Sequence, residues 1–116
     1  MKKYEYEMIT CVVNSGFSAA VMDAAREVGA KGGTVIRARG TANSEAEQIF
    51  GIVVQPEKEI VLIITKKEFK EAILHAVYKA VGLNTAGQGI AFSLPVDSVV
   101  GLSDFSEKKD ENKKEP

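Results

Sequence analysis

The chain of 116 residues lacks most features that would place it outside the ordinary globular class. A single cysteine, Cys11, excludes an internal disulfide framework. The apolar runs are far shorter than a membrane span, and no signal-peptide pattern precedes Tyr4. We therefore expect a cytoplasmic protein with one core and no direct membrane insertion.

An excess of charge of one sign is also missing. Lys and Arg number 15 against 16 for Asp and Glu, which gives a formal net charge of −1. No basic stripe with interleaved aromatics is present, so nucleic-acid binding is not expected. The lone histidine, His75, predicts no metal site. Cys11 has no CxxC partner or nearby histidine, which is typical of an inert core thiol, and no catalytic residue is predicted.

The chain does contain a regular succession of strand and helix patterns. Alternating residues over 4–13 predict a first strand, and apolar residues at helical spacing over 17–28 predict a helix that Gly29 ends. Residues 33–40 and 60–64 predict the second and third strands. Together these segments predict the order strand, helix, strand, strand.

A second helix and a last strand follow. Thr65 and Glu68 have the spacing of a capping box, in which two backbone donors at a helix start are satisfied reciprocally. The predicted helix carries an apolar stripe from residue 69 to residue 80 and ends at Gly82. The last strand covers residues 90–96, and Pro95 indicates that it lies at an edge of the sheet.

The order β-α-β-β-α-β predicts an α+β fold, a ferredoxin-like sandwich with one antiparallel sheet and both helices on one face. The segment 60–64, I-V-L-I-I, is apolar on both faces, which is typical of a covered central strand. The sheet face without helices would otherwise expose this apolar surface. The pattern therefore predicts self-association.

The segment 82–90, G-L-N-T-A-G-Q-G-I, joins the end of the second helix to the last strand. Glycine amides without a neighbouring Cβ form a cradle that binds anions, often phosphate. Glycines after a helix also serve as C-caps and turn residues, so this pattern alone leaves both roles open.

Three motifs on this topology carry a family resemblance. They are G-G-T-V at residues 32–35 followed by Gly40, Q-P-x-x-x-I at residues 55–60, and G-Q-G at residues 87–89 continuing through Phe92. With them, residues 4–102 resemble the PII signal-transduction family, the nitrogen regulatory protein P-II family. The resemblance implies a PII-like domain over residues 1–103.

The same resemblance implies a homotrimer, with a site for an adenine nucleotide in each cleft between subunits. Thr34 and Gly40 are expected on the adenine and ribose side, and the glycine-loop amides on the phosphates. The bound nucleotide would set the conformation of a loop that grips a protein partner, such as a transporter or an enzyme. The predicted nucleotide-binding residues are Val13, Thr34, Arg39, Gly40, Ile63, Gly87, Gln88 and Gly89.

The chain departs from the family pattern in its charges. Ile90 stands where family members have a lysine, and Gly101 and Ser103 stand where two arginines are expected. Each charge-assisted hydrogen bond is worth roughly 1.5–3 kcal/mol. We therefore expect weak ATP binding, or a ligand such as ADP, AMP or a cyclic nucleotide, or a cation supplied from elsewhere by Arg37, Arg39 or Lys58.

The loop at about 41–54 is short and lacks the tyrosine that is uridylylated in some family members. Its predicted partner-binding residues are Thr41, Asn43, Glu45 and Phe50. Residues 104–116 are charged and contain one apolar side chain, so they predict a disordered tail.

Two rival functions fit the same sandwich. One is a PII-like trimeric interaction module that has lost nucleotide binding or senses another small anion, which the missing cations favour. The other is an acylphosphatase-like enzyme, for which the turn Asn14-Ser15-Gly16 offers an asparagine without an arginine in the loop.

Overall fold

Strands and helices follow one another in the predicted order. The computed structural model describes residues 4–41, 48–49, 51 and 56–102. Within these residues there are four strands and two helices of more than one turn. Their bounds are β1 Tyr6–Asn14, α1 Ser18–Glu27, β2 Thr34–Arg39, β3 Glu57–Lys66, α2 Lys70–Val81 and β4 Ile90–Val96.

The strands form one antiparallel sheet in the spatial order β2-β3-β1-β4. This is the ferredoxin-like topology, and the predicted α+β fold is confirmed. β3 lies in the middle of the sheet, as its apolar run predicted, and β4 with Pro95 lies at an edge. Proline is tolerated there because an edge strand leaves one row of backbone groups unpaired.

Both helices pack on one face of the sheet. Val21 and Ala25 of α1 are buried four residues apart, and α2 buries residues at the same interval. These helix residues pack against the odd-numbered residues of the strands, which point to the same side of the sheet. Ile9 and Ile63 are among them and have no exposed surface. This face is the hydrophobic core of the chain.

The opposite sheet face has no helix against it, yet its side chains are also apolar. The strand register places residues of β1, β2, β3 and β4 in rows across this face. We call it the open face. Its apolar members are Met8, Val12, Ile36, Ile60, Leu62, Ile64, Ile90, Phe92 and Leu94. Phe92 and Leu94 keep 45% and 49% of their surface exposed, so the open face lies uncovered in a single subunit.

The start of helix α1 is stabilised by a side chain from strand β3. Glu59 of β3 accepts hydrogen bonds from the backbone N–H groups of Ser18 at 3.0 Å and Gly16 at 3.1 Å. A carboxylate at a helix N-terminus satisfies donors that the helix leaves unpaired. The Ser18 amide, helped by Gly16 and Arg37, holds the pKa of Glu59 below its usual value.

The predicted capping box at Thr65 is wrong. Thr65 is buried inside β3, where it pairs with Glu7 of β1, and the strand continues to Lys66. A 3-10 turn, Lys67–Phe69, comes between the strand and α2, and no side chain caps either start. Pairing with β1 therefore outweighs the local capping signal, and Glu5 O accepts the N–H of Lys67.

Candidate functional site

The glycine loop, residues 82–89, folds onto itself through hydrogen bonds. The Thr85 hydroxyl donates to Gly82 O at 2.8 Å and accepts the Gly87 N–H at 3.2 Å. The Gln88 N–H donates to Thr85 O at 3.0 Å, and the Gly89 N–H donates to Val81 O at 2.6 Å. The loop is a closed turn that continues directly into β4.

Both glycines of the G-Q-G motif lie where a Cβ would be crowded, and Gly89 is the more tightly enclosed of the two. A Cβ at Gly89 would lie 2.5 Å from Val81 O and 2.8 Å from a methyl carbon of Val13. A Cβ at Gly87 would lie 3.0 Å from the Val81 side chain. Gln88, between them, has a positive φ of 46° and is exposed. The G-Q-G motif thus has a structural reason in this chain, namely the approach of the loop to α2 and β1.

The amides of Gly87, Gln88 and Gly89 all have acceptors within the chain. An anion at these amides would have to displace Thr85 or Val81 as the acceptor, at the cost of a hydrogen bond for each donor taken. The assignment of these amides to phosphate binding stays a prediction. In this arrangement the charge that attracts an anion has to come from side chains.

Asn14, the last residue of β1, connects the glycine loop to β3. Its backbone N–H donates to Gly87 O and its side-chain amide donates to Ala86 O, both at 2.9 Å. Its side-chain oxygen accepts from Lys58 Nζ at 2.7 Å. Sequence reasoning noted Asn14 only as part of a turn, because its partners lie 44 and 72 residues away along the chain.

A polar cleft of about 580 Å³ lies at the same end of the sheet. Ser15, Arg37, Arg39, Glu57 and Lys58 line it, and the strand register sets Arg37 opposite Glu59 and Arg39 opposite Glu57. All three cations proposed from the sequence as substitutes are therefore gathered at one place. This cleft, together with the adjoining glycine loop, is the candidate functional site.

The other predicted nucleotide residues differ in burial. Val13 packs beneath Gly89 and belongs with Ile63 to the buried core, whereas Thr34 is exposed at the start of β2. Neither Val13 nor Ile63 has exposed surface, so contact with a ligand requires a pocket to open beside them. Their shared role in ligand binding stays a prediction.

Gly40 and Thr41 mark the start of the predicted partner-binding loop. The Gly40 N–H donates to Pro56 O at 2.7 Å, which closes the base of the loop, and Thr41 is exposed. The other predicted partner-binding residues, Asn43, Glu45 and Phe50, lie outside the described residues, as does the predicted tail at 104–116.

A second, apolar cleft of about 480 Å³ lies between α2 and β4. Its lining includes Leu74, Tyr78, Leu83 and Ile90, together with the exposed His75. No group of three His, Cys, Asp or Glu residues able to hold a metal ion occurs in the part of the chain that is described. Burial raises the pKa of the Cys11 thiol to about 11, so this thiol is protonated at neutral pH.

Comparison with known proteins shows the family of this chain. The model of the nitrogen regulatory protein P-II family matches residues 6–104, which is most of the chain. The chain belongs to the PII family. The resemblance drawn from the three motifs is thereby confirmed, and a regulatory role comes with the family.

A crystal structure of Arabidopsis thaliana PII bound to citrate supports the fold. It shares 22% sequence identity with this chain and superposes with a TM-score of 0.62 over 84% of this chain and 81% of that one. The comparison with curated protein sequences gives no match. Among the helices of the described segments, none is long and apolar enough to cross a membrane.

Proposed function

We propose that this PII-family chain is a cytoplasmic regulator that forms a homotrimer, binds an adenine nucleotide between subunits and signals to a protein partner. Family membership over residues 6–104 is the observation that carries the proposal. The ligand would be ADP, AMP or ATP, or a cyclic nucleotide. The partner would be a transporter or an enzyme that reads the loop at about 41–54.

The open face supports the homotrimer. It is a continuous apolar surface on a sheet whose opposite face is already filled by α1 and α2. Exposed apolar patches of this kind mark interaction surfaces, because covering them removes apolar area from water. In addition, the Thr10 hydroxyl in the middle of this face is buried without a partner among the described residues. In a homotrimer, a second copy of the chain would cover the open face, including Thr10.

The placement of Thr34 supports a site between subunits. Thr34 is exposed on the open face, whereas Gly87 and Gly89 are buried against α2 and β1, so a second copy on the open face would complete a pocket that contains both regions. Trimer formation and nucleotide binding are therefore coupled in this proposal. A monomeric chain would contain only half of each site.

The loop that would carry the signal begins beside the polar cleft. Gly40 and Pro56 close its base, next to Arg39 and Glu57 of the cleft lining. A ligand in the cleft would favour one loop conformation through its differential contacts, and the partner would read that conformation as a shift of population. No covalent change of the loop is needed for this mechanism.

Calorimetric titration of the purified chain with ATP, ADP, AMP and cyclic dinucleotides tests the proposal, alongside light scattering to measure its mass in solution. We expect saturable heat with at least one of them and the mass of three subunits. No heat at millimolar concentration would remove the nucleotide part. A monomer would remove the shared site.

A second candidate is a PII-like trimer that senses another small anion, such as a polycarboxylate, and binds no nucleotide. The engagement of the Gly87, Gln88 and Gly89 amides within the chain favours it, as does the exposed Ile90 at the loop exit. The solved Arabidopsis thaliana PII holds citrate. Titration with citrate separates the two candidates, and heat with citrate alone would select this one.

Binding, not catalysis, is proposed at the Asn14 turn. An acylphosphatase-like enzyme would need an arginine in that loop, whereas here Asn14 is occupied by Ala86 O and Lys58 Nζ. We expect no hydrolysis of an acyl phosphate. Measurable turnover that is lost in Asn14→Ala would replace the regulatory proposal with an enzymatic one.

A further inference from the structure

The bonds of Asn14 place one lysine beside the glycine loop. A single side-chain amide donates to the loop at Ala86 O and accepts from Lys58 Nζ, while the Asn14 backbone N–H donates to Gly87 O. β1 and β3 pair here, with Asn14 opposite Lys58. The ammonium group is thereby tied, through one amide, to the segment that the sequence singled out for anion binding.

The cations of the cleft differ in how their charge is balanced. Arg37 and Arg39 face Glu59 and Glu57 across the β2–β3 register, and opposite charges in directly paired positions attract each other. Lys58 faces Ala38 on β2 and Asn14 on β1, both of which are uncharged.

Among the described residues, Lys58 also has bonding capacity to spare. An ammonium group has three N–H donors, and one is used by Asn14 at 2.7 Å. Lys58 is also one of the residues that line the polar cleft. The neighbouring loop amides, by contrast, already donate within the chain.

We propose that Lys58 is the residue that binds the anionic group of the ligand beside the glycine loop, and that Asn14 is the positioning residue that holds it there. The inference rests on the proposed function and specifies the charge recognition of its site. Phosphate and carboxylate are both recognised by an ammonium group in this position. Arg37 and Arg39 are, in this view, chiefly partners of Glu59 and Glu57.

Lys58→Gln tests the first part, with Lys70→Gln as the matched control. Lys70 opens α2, a helix of 12 residues and thus about 18 Å long, and the glycine loop follows the other end of that helix. The probes are ADP and citrate, titrated separately. We expect Lys58→Gln to weaken the ligand that the unsubstituted chain binds by about 10- to 100-fold, the effect of losing a charge-assisted hydrogen bond. Lys70→Gln should change it less than twofold.

Comparison of ADP with adenosine separates charge recognition from a general loss of structure. Adenosine lacks the anionic group, so its binding, followed by NMR shifts at millimolar concentration, should change less than twofold in Lys58→Gln. If Lys58→Gln weakened the binding of ADP and of adenosine equally, the inference would be overturned, because this would show a disturbed fold. Unchanged ADP and citrate affinity in Lys58→Gln would overturn it as well.

The role of Asn14 is tested with a double-mutant cycle that combines Asn14→Ala with Lys58→Gln. Asn14→Ala should weaken anion binding when Lys58 is present and have less than twofold further effect in the Lys58→Gln background. A purely structural role would instead give effects that multiply. Asn14→Asp, which keeps an acceptor for Lys58 but loses the donor to Ala86 O, should retain more affinity than Asn14→Ala. Independent effects of the two residues would overturn the positioning role.

The failure of this inference is distinguishable from the failure of the proposed function. If ADP gives no heat but citrate binds and depends on Lys58, the nucleotide part of the function fails and the inference stands. If ADP binds equally well to the unsubstituted chain and to Lys58→Gln, the function stands and the inference fails. If neither ligand binds the unsubstituted chain, both fail.

Discussion

The two faces of the sheet are built from similar residues but have different surroundings. On β3, Ile63 points to the helix face and has no exposed surface, while its neighbour Leu62 points to the open face and is half-buried. Both faces are rich in Ile, Val and Leu. The difference teaches that one apolar face is satisfied by the chain's own helices and the other needs a surface from outside the subunit.

The largest expected effect comes from the matched pair Ile63→Ala and Leu62→Ala. Ile63→Ala should lower the free energy of unfolding by about 2–5 kcal/mol, because it leaves a cavity in the closed core. Leu62→Ala should cost less in dilute solution, and its cost should grow with protein concentration as the open face becomes covered. Urea unfolding at several concentrations measures both. Equal costs at every concentration would remove the distinction between the faces.

Introducing a charge on the open face should break the assembly. Phe92→Glu would place a carboxylate in a surface that is desolvated on association, with an expected loss of about 3 kcal/mol or more in the association free energy. Sedimentation should show monomers that keep the circular dichroism of the unsubstituted chain. The control is Ala80→Glu on the exposed side of α2, which should leave the oligomer intact. An intact trimer in Phe92→Glu would place the interface elsewhere.

The glycine loop packs on the side of the sheet that the helices cover, because Gly89 contacts Val13 and Val81. Gly89→Ala should lower the free energy of unfolding by about 1–3 kcal/mol through steric crowding against Val81 O and Val13. Gly32→Ala is the control, since a Cβ there has no atom within 4 Å. Thermal unfolding compares them. Equal stability of the two variants would show that the loop is free to move away from α2.

The smallest expected effect concerns the Glu59 cap of α1. The folded-state pKa of Glu59 is lowered, so its stabilising contribution is present above the unfolded pKa, near 4.3, and is lost as the pH falls through the folded value. Glu59→Gln should therefore be less stable than the unsubstituted chain at pH 7, and the difference should shrink below about pH 4. Urea unfolding from pH 3 to pH 7 measures this.

Asp23→Asn serves as the control for that experiment, because it makes the same charge change on the exposed side of α1. We expect its stability to follow the unsubstituted chain within about 0.5 kcal/mol. A Glu59→Gln difference that stays constant across this pH range would show that the carboxylate charge plays no part in capping α1.

Much of the fold could be read from periodicity. The spacing of Val21 and Ala25, and of Ile73 and Val77, follows the helical repeat, and these residues are buried in the structure. The apolar run of β3 marked it as central, and Pro95 marked β4 as an edge. These signals are reliable because a buried stripe repeats over several turns or residues, so that one exception does not erase it.

Local motifs were less reliable where a distant partner competed with them. Thr65 has the capping-box spacing to Glu68, yet it lies in β3 because it pairs with Glu7 and is buried. Glu59 caps α1 although it comes from a strand 41 residues further along the chain. A short pattern carries no record of which strand or helix will lie next to it.

The order of the elements, the apolar stripes and the family motifs follow from the arrangement of residue types along the chain, since each depends on neighbours a few positions away. The meeting of Asn14, Ala86 and Lys58, the engagement of the glycine-loop amides and the contrast between the two sheet faces do not. They depend on the register of the strands and on the packing of α2 against them, which bring together residues far apart in the chain. For this reason the candidate site was located in outline from its glycines, while the lysine assigned to it was identified from the folded chain.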